Sequence, residues 1–261
     1  MDGTQDILII PFGDLHLGNK NCNKTKIKEY IDWIKHTPRL YWIGMGDYAD
    51  AITHSDERRY DFDSLDPELP TPDEQYAWVR AEFAKIKTNC LGLHIGNHDF
   101  ELQRRHEHRY VKMDLCDSLE LPFLGYNAMT RLKFILKKRN GERMHRNGGT
   151  ITIASTHGST NARTAGGKIN PMLLWASGLS ADIYLYAHTH DKYAHEERYY
   201  ALSTNESLVE RTRVYCLTGG FLEGYQQGTL SYVERKNLRP LKTGVVKIIV
   251  NPMTLRIRAQ A

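Results

Sequence analysis

Five short apolar runs, each followed at once by a turn rich in Gly, Asp, Asn or His, constrain the fold of this chain more than any other feature. A continuous apolar run of this length is typical of a strand that is buried on both faces of a sheet. Helical spacing of apolar residues appears between the runs, at 24–35, 72–87 and 169–177. This alternation predicts an α/β fold. The five runs are residues 6–12, 40–45, 91–95, 150–155 and 183–186.

The second half of the chain is richer in predicted strands. Two segments, 131–137 and 150–155, flank the turn signals Asn140-Gly141 and Asn147-Gly148, so a hairpin is expected near 131–155. Residues 53–72 are polar and acidic and contain proline, which predicts a long surface insertion. We expect one domain over residues 1–261 with two sheets. Four further β-rich segments are expected at 193–201, 209–217, 229–235 and 245–250.

Composition excludes several classes of protein. Hydrophobic residues make up 41% of the chain and charged residues 25%, which is too apolar for a disordered protein. The four cysteines are far apart and form no CxxC pair, so neither a disulfide framework nor a thiolate zinc cluster is expected. The longest apolar run, 7–12, is too short to span a membrane, and the acidic start MDGTQD is unlike a signal peptide. We therefore expect a cytoplasmic protein without a membrane partner.

The residues that follow the five runs form a set of candidate metal ligands. The carboxyl ends of neighbouring strands meet at one edge of an α/β sheet, so these side chains are expected to converge. Oxygen and imidazole donors without thiolate suit Mn, Fe, Zn or Ni. Seven ligands are too many for one ion that keeps an open position, but they suffice for two ions if one carboxylate is shared. The seven are Asp14, His16, Asp47, Asn97, His157, His188 and His190.

Five motifs in this order resemble those of the calcineurin-like metallophosphoesterases: DLH at 14–16, GD at 46–47, GNHD at 96–99, HG at 157–158 and HTH at 188–190. The resemblance covers residues 8–190 and implies a four-layer α/β/β/α sandwich, with two mixed β-sheets flanked by helices. It also implies two divalent metal ions, with Mn preferred and Asp47 bridging them. One ion would be held by Asp14, His16, Asp47 and His190, and the other by Asp47, Asn97, His157 and His188.

The resemblance implies hydrolysis of a phosphate ester by a hydroxide held between the two ions. His98 follows the ligand Asn97 directly, so it is placed to contact the phosphoryl group or to protonate the leaving oxygen. Asp99 is expected to orient the imidazole of His98. Asp50 is expected to cap a turn or support a ligand, and His94, within an apolar run, to be a core residue without a ligand role.

Two groups of basic residues are candidates for substrate contact. Arg163 and Lys168 lie between the motifs of His157 and His188, beside glycines that suggest a loop over the site. Residues 101–146 carry eleven Lys and Arg against six Asp and Glu, with Lys137-Lys138-Arg139 at the tip of the predicted hairpin. Such a run is more often a solvated face, and contact with a nucleic-acid backbone is the alternative interpretation.

The motifs depart from those of the Ser/Thr protein phosphatases. Those enzymes have GDxxDRG and GNHE, whereas this chain has GDYADA and GNHD, so the arginine that grips phosphate is replaced by Ala51. This difference favours a phosphodiesterase, acting on a nucleic acid or a nucleotide. The alternatives are a phosphomonoesterase with a small substrate and, from another class, a non-catalytic scaffold with the same fold.

Overall fold

The computed structural model describes residues 6–56, 60–137, 143–203, 205–225, 232–235, 237 and 239–261. The first sheet has six strands in the order β12-β11-β1-β2-β3-β4, of which β1 to β4 run parallel. β11 and β12 complete its other edge in antiparallel fashion. The strands are β1 (Ile7–Phe12), β2 (Leu40–Gly44), β3 (Cys90–His94), β4 (Phe123–Gly125), β11 (Lys247–Val250) and β12 (Ile257–Gln260).

The second sheet is also mixed, with the order β10-β9-β7-β6-β5 and with β8 paired to β9. β6, β7 and β9 run parallel, so that Ile153 lies beside Ile183 and Ile183 beside Val214. β5 pairs antiparallel with β6, and β8 and β10 pair antiparallel with β9. The strands are β5 (Asn127–Lys137), β6 (Arg143–Thr156), β7 (Ile183–Tyr186), β8 (Lys192–Leu202), β9 (Leu208–Gly220) and β10 (Gly244–Val245).

Helices cover the outer faces of both sheets. Polar side chains cap the starts of three of them: Asn23 caps α1, Thr164 caps α4, and Thr71 forms a capping box with Glu74 at the start of α2. A π-helix, Val111–Asp117, follows α3, and two short 3₁₀ helices lie at Phe62–Ser64 and Lys87–Asn89. The α-helices are α1 (Lys24–His36), α2 (Pro72–Ala84), α3 (Asn97–His106), α4 (Ala165–Ser177) and α5 (Tyr232–Arg235).

Three apolar clusters separate four layers. One cluster lies between the two sheets and joins Ile9 of β1 to Ile183 of β7. A second joins the first sheet to α1 and α2, with Trp42 and Phe83 in edge contact at a centroid distance of 4.8 Å. The third joins the second sheet to α4 through Met172. The predicted α/β/β/α sandwich with two mixed sheets is therefore confirmed.

Several predicted elements differ from the structure. Residues 229–235 were expected to be β-rich, but the described part of that segment, Tyr232–Arg235, is the helix α5. The single strand expected at 245–250 is divided: β10 pairs with β9 in one sheet, and β11 pairs with β1 in the other. The chain crosses between the sheets at Val246, which is fully buried and donates its N–H to the Thr218 carbonyl. α2 ends at Ala84, three residues before the predicted end.

Two predicted surface features are only partly described. Between β2 and α2, the described residues of the 53–72 segment contain a 3₁₀ helix and no longer element. β5 and β6 form the expected antiparallel hairpin, but its basic tip, with Lys138 and Arg139, lies outside the described residues. In the described part of the chain, no helix combines the length and the apolar composition that a membrane crossing needs.

Candidate metal centre

The backbone at the strand ends adopts a conformation that is rare for residues other than glycine. Five of the seven predicted ligands have positive φ: Asp14 (50°), His16 (51°), Asp47 (50°), His188 (67°) and His190 (55°). Such backbone strain costs about 1–3 kcal/mol for each residue and concentrates at functional sites. Because five such residues occur together in three turns, the structure holds these side chains in place at a substantial cost in stability.

The first group of electron-pair donors comes from three strand ends. Nε2 of His16 lies 3.1 Å from Nε2 of His190, which in turn lies 3.7 Å from Oδ1 of Asp14. Nε2 of His16 also lies 3.8 Å from Oδ2 of Asp47. Asp14 is fully buried, and its Oδ1 atom has no hydrogen-bond partner among the described residues. A buried carboxylate oxygen without a partner is costly unless a cation compensates it.

The second group shares Asp47 with the first. Oδ2 of Asp47 lies 3.3 Å from Nε2 of His157. The amide oxygen of Asn97 faces that nitrogen at 3.0 Å, Nδ1 of His188 at 2.6 Å and Oδ2 of Asp47 at 3.3 Å. In the opposite amide orientation, the NH₂ group would donate hydrogen bonds to the same three atoms. Because the amide can turn its oxygen towards these atoms, Asn97, His157, His188 and Asp47 form a set of oxygen and imidazole donors that fits a divalent metal ion.

Hydrogen bonds on the outer nitrogen fix the direction of three imidazoles. His157 Nδ1 lies 2.8 Å from the Met45 carbonyl oxygen, and His16 Nδ1 lies 3.2 Å from Oδ1 of Asp50. His188 Nε2 lies 3.2 Å from the Thr160 carbonyl oxygen. In each case an acceptor holds a proton on the outer nitrogen and leaves the inner nitrogen free to bind a metal. Asp50 thus supports His16, in line with the role expected of it.

Burial and neighbouring charges shift the pKa values of the cluster in opposite directions. Burial lowers the pKa of His188 to about 4. Burial also lowers the pKa of His157, but the nearby carboxylate of Asp47 has the larger effect and raises that pKa to about 10. Burial raises the pKa of Asp14. Because metal ligands must be deprotonated, binding of a cation would release protons from His157 and Asp14 and would strengthen as the pH rises.

His98 lies at the solvent side of the cluster, with its side chain 17% exposed. Its backbone N–H donates to Oδ1 of Asp47 at 2.8 Å, and its ring meets the ring of His16 edge-on at a centroid distance of 4.7 Å. Nδ1 of His98 lies 2.6 Å from the carbonyl oxygen of Asp50. The ligand atoms of His16, Asp47 and His98 lie within 4.8 Å of one another, so His98 is also within reach of a metal ion.

Asp99 has contacts other than those expected from the sequence. Its Oδ2 accepts the backbone N–H groups of Asp47 and Gly96, both at 2.8 Å, and its Oδ1 accepts the Tyr76 hydroxyl at 2.5 Å. The ring of His98 is oriented instead by the carbonyl of Asp50. Because Asp99 is the third residue of α3, its carboxylate points back to the helix start, where it caps Gly96 and joins two of the ligand-bearing turns.

Arg163 and Lys168, the predicted substrate contacts, have different surroundings. Arg163 is exposed and forms no ion pair with a described residue. Lys168 is buried on α4, and its Nζ donates to the Thr189 carbonyl at 2.9 Å and pairs with Oδ2 of Asp191 at 2.9 Å. Arg239 contacts the same Asp191 oxygen at 2.6 Å.

The sequence offered little signal for Asp191 and Arg239. Asp191 follows the HTH motif directly, which is the one local hint, whereas Arg239 lies 48 residues further on.

In the basic segment 101–146, Arg104 pairs with Glu101 and Arg105 with Asp56, while Lys112 pairs with Asp117. The pairs of Arg104 and Lys112 are local, as expected of a solvated face, whereas that of Arg105 joins α3 to the segment after β2.

Comparison with known proteins gives one family match. The family model for calcineurin-like phosphoesterases matches residues 7–192. No curated protein sequence matches the chain.

Solved structures similar to this chain have low sequence identity to it. A conserved uncharacterized protein of Streptococcus pneumoniae TIGR4, described as a predicted phosphoesterase, is 15% identical, with 94% of this chain and 84% of that chain covered and a TM-score of 0.37. Zinc-complexed Vps29 of Entamoeba histolytica is 10% identical, with 98% of this chain and 97% of that chain covered and a TM-score of 0.39. A metallophosphoesterase of Sphaerobacter thermophilus is 13% identical, with 98% of this chain and 87% of that chain covered and a TM-score of 0.39.

Proposed function

The chain belongs to the calcineurin-like phosphoesterase family, and from this premise we propose that it is a phosphodiesterase that uses two divalent metal ions. Asp14, His16, Asp47 and His190 would hold one ion, and Asp47, Asn97, His157 and His188 the other. The observation that carries the proposal is the convergence of two groups of metal-ligating side chains on the shared carboxylate of Asp47. When bound, divalent ions supply polarisation of the phosphoryl oxygens and a water of lowered pKa.

The protein's own residues orient the substrate and move the proton. Nδ1 of His98 lies against the carbonyl oxygen of Asp50, so its N–H donates there, and when the ring is doubly protonated the N–H at Nε2 is the group that gives a proton to the leaving oxygen. Asp99 holds the turns of Asp47 and Asn97 together through backbone N–H groups. Lys168 holds Thr189, between His188 and His190. Preorganisation of this kind lowers the cost of reaching the reactive geometry.

Local charge favours a diester over a monoester. A phosphate monoester carries more negative charge than a diester and needs more cationic side chains around it. Lys168, the buried cation beside the HTH turn, is already neutralised by Asp191. Ala51 stands where the Ser/Thr phosphatases have arginine, and its side chain adds no charge. The site therefore suits a substrate with a single negative charge at the phosphorus that reacts.

The test compares bis(p-nitrophenyl) phosphate with p-nitrophenyl phosphate, each at saturating Mn²⁺. We expect kcat/KM for the diester to exceed that for the monoester by about tenfold or more, a difference of about 1.4 kcal/mol in transition-state stabilisation. Asp47→Asn should abolish turnover, and Asp32→Asn, at a side chain that is 75% exposed on α1, serves as the matched control. Activity on the monoester alone would overturn the diester preference, and no activity on either would leave the scaffold as the better account.

A further inference from the structure

A second feature near the HTH turn is a cavity of about 320 Å³ between the start of β8 and the segment 239–242. Its volume is in the range of small-ligand sites, about 300–1,000 Å³. Three cationic side chains line it, from Lys192, Arg239 and Lys242, together with the carboxylate of Asp191 and with Pro240, Leu241 and Ala261.

The one acidic side chain of this lining is already paired. Asp191 is 8% exposed, and its Oδ2 lies 2.9 Å from Nζ of Lys168 and 2.6 Å from the guanidinium of Arg239. Lys192 and Lys242 form no ion pair with any residue that the structure describes. The cavity therefore presents two lysines that form no ion pair with a described side chain.

Further lysines add to the positive charge. Lys242, Lys26 and Lys247 all lie close enough to Lys192 to repel its charge. Lys247 lies over the ring of Trp33, with Nζ 4.9 Å from the centroid, and Lys26 pairs with Glu29. A cleft in which charge of one sign predominates focuses the field and concentrates ligands of the opposite sign. Like charges gathered in this way favour a bound anion.

The cavity adjoins the candidate metal centre. Asp191 separates Lys192 from His190, and two extended residues span at most about 7 Å. Arg239 and Lys242 lie beyond residue 192, where the family match ends. This side of the cavity is thus built from a part of the chain that the family model does not cover.

From this arrangement we infer that the cavity at Lys192, Arg239 and Lys242 binds a phosphate of an oligonucleotide substrate, next to the phosphate that reacts at the metal centre. The inference rests on the proposed function and specifies its substrate. A nucleic-acid strand carries one charge at each nucleotide, and lysine gains affinity for it by releasing condensed counterions. In such a strand the reacting phosphate carries a single negative charge, which suits a metal centre with few unpaired cationic side chains. The neighbouring phosphate carries a second negative charge, which suits the cationic cavity beside that centre.

The test uses p-nitrophenyl esters of the 5′-phosphates of thymidine and of di-, tri- and tetrathymidylate, which share the same reacting phosphate. We expect kcat/KM to rise about tenfold or more with length in the wild-type protein and the rise to be lost in Lys242→Glu. Lys35→Glu, at an exposed lysine of α1, changes the net charge equally and should keep the rise. The inference fails if turnover of the shortest ester is detected but no rise occurs, or if both variants behave alike.

A binding measurement keeps the inference separate from the proposed function. If none of the esters is hydrolysed, the proposed function fails, and fluorescence anisotropy of the metal-free protein with fluorescein-labelled tetrathymidylate decides the inference. We expect the Kd of Lys242→Glu for the oligonucleotide to be higher than that of Lys35→Glu by about fivefold or more. Equal Kd values for the two variants would overturn the cavity as a phosphate site.

Discussion

Lys168 donates a hydrogen bond from α4 to the carbonyl oxygen of Thr189, at 2.9 Å, and Thr189 separates His188 from His190. The same ammonium group pairs with Asp191, so a single buried side chain fixes the middle of the HTH turn and the residue that follows it. Both imidazoles in this turn have positive φ, and the fixed backbone maintains that strained conformation. The position of α4 therefore influences the geometry of both halves of the candidate metal centre.

Replacing Lys168 with Gln should weaken Mn²⁺ binding. The variant loses the ion pair that holds the turn, and changes in groups that orient ligands typically cost about 10–100-fold in metal affinity. Isothermal titration calorimetry measures the effect, and Arg163→Gln, five residues earlier and exposed, serves as the control. If Lys168→Gln leaves the Kd for Mn²⁺ unchanged but raises KM for substrate, the sequence-based role in substrate binding is the better account.

Replacing His98 with Ala should reduce turnover and leave the metal content intact. Loss of a proton donor costs about 10²–10⁴-fold in rate. The measurement pairs kcat for bis(p-nitrophenyl) phosphate with the Mn content per chain by mass spectrometry. Because His98 also lies within ligand reach of His16 and Asp47, a loss of one metal ion would reassign it as a ligand. Wild-type turnover with full metal content would remove His98 from the mechanism.

Replacing Gly96 with Ala should disrupt the centre through a steric contact. A Cβ atom at residue 96 would lie 2.1 Å from Oδ1 of Asp47 and 2.3 Å from its backbone nitrogen. The carboxylate that both ions are proposed to share would have to move, so we expect the Kd for Mn²⁺ to rise by about a hundredfold. Gly166→Ala is the matched control because a Cβ atom there meets nothing within 4 Å. Equal affinities in the two variants would contradict the proposed position of Asp47.

His94 should make the stability of the protein depend on pH. Burial lowers its pKa to about 4 from the ordinary 6.5, and its ring bonds to Gly125 and Ser155. Above pH 6.5 the ring is neutral in both states, and stability is complete. Between the ordinary pKa and the lowered one, only the unfolded state takes up the proton, so about 1.4 kcal/mol is lost per pH unit, and about 3 kcal/mol by pH ~4.

The matching variant is His94→Gln, which cannot titrate. In urea denaturation of the metal-free protein, the variant should be less stable than the wild type near neutral pH, because it loses packing and hydrogen bonds. The gap in free energy of unfolding should narrow by about 3 kcal/mol as the pH falls to about 4. Parallel pH curves for the two proteins would show that His94 is not buried in its neutral form.

The sequence predicted the edge of the sheet at which the candidate ligands converge, because parallel strands bring their carboxyl ends together. Each ligand motif follows a strand that the apolar pattern reveals, so Asp14, Asp47 and His188 could be assigned together. His94 was recognised as a core residue for the same reason and is fully buried. The positive φ angles of these residues could not be predicted from the sequence, because Asp and His also occur in many turns with ordinary backbone conformations.

Elements that depend on distant contacts were missed. α3 has few apolar residues, and its start at Gly96 is fixed by the side chain of Asp99. β12 is a four-residue edge strand with a single fully buried residue, Ile257, which gives no period to detect. The ion pair of Asp191 with Arg239 joins segments 48 residues apart, and neither local pattern nor composition encodes such a contact.

The central claim is that two divalent cations share Asp47, and anomalous diffraction from crystals soaked in MnCl₂ tests it most directly. The account predicts two Mn peaks about 3.5–4 Å apart, with the Asp47 carboxylate contacting both. His190 and Asp14 should bind one peak, and Asn97 and His157 the other. A single peak, or peaks that do not contact Asp47, would contradict the account.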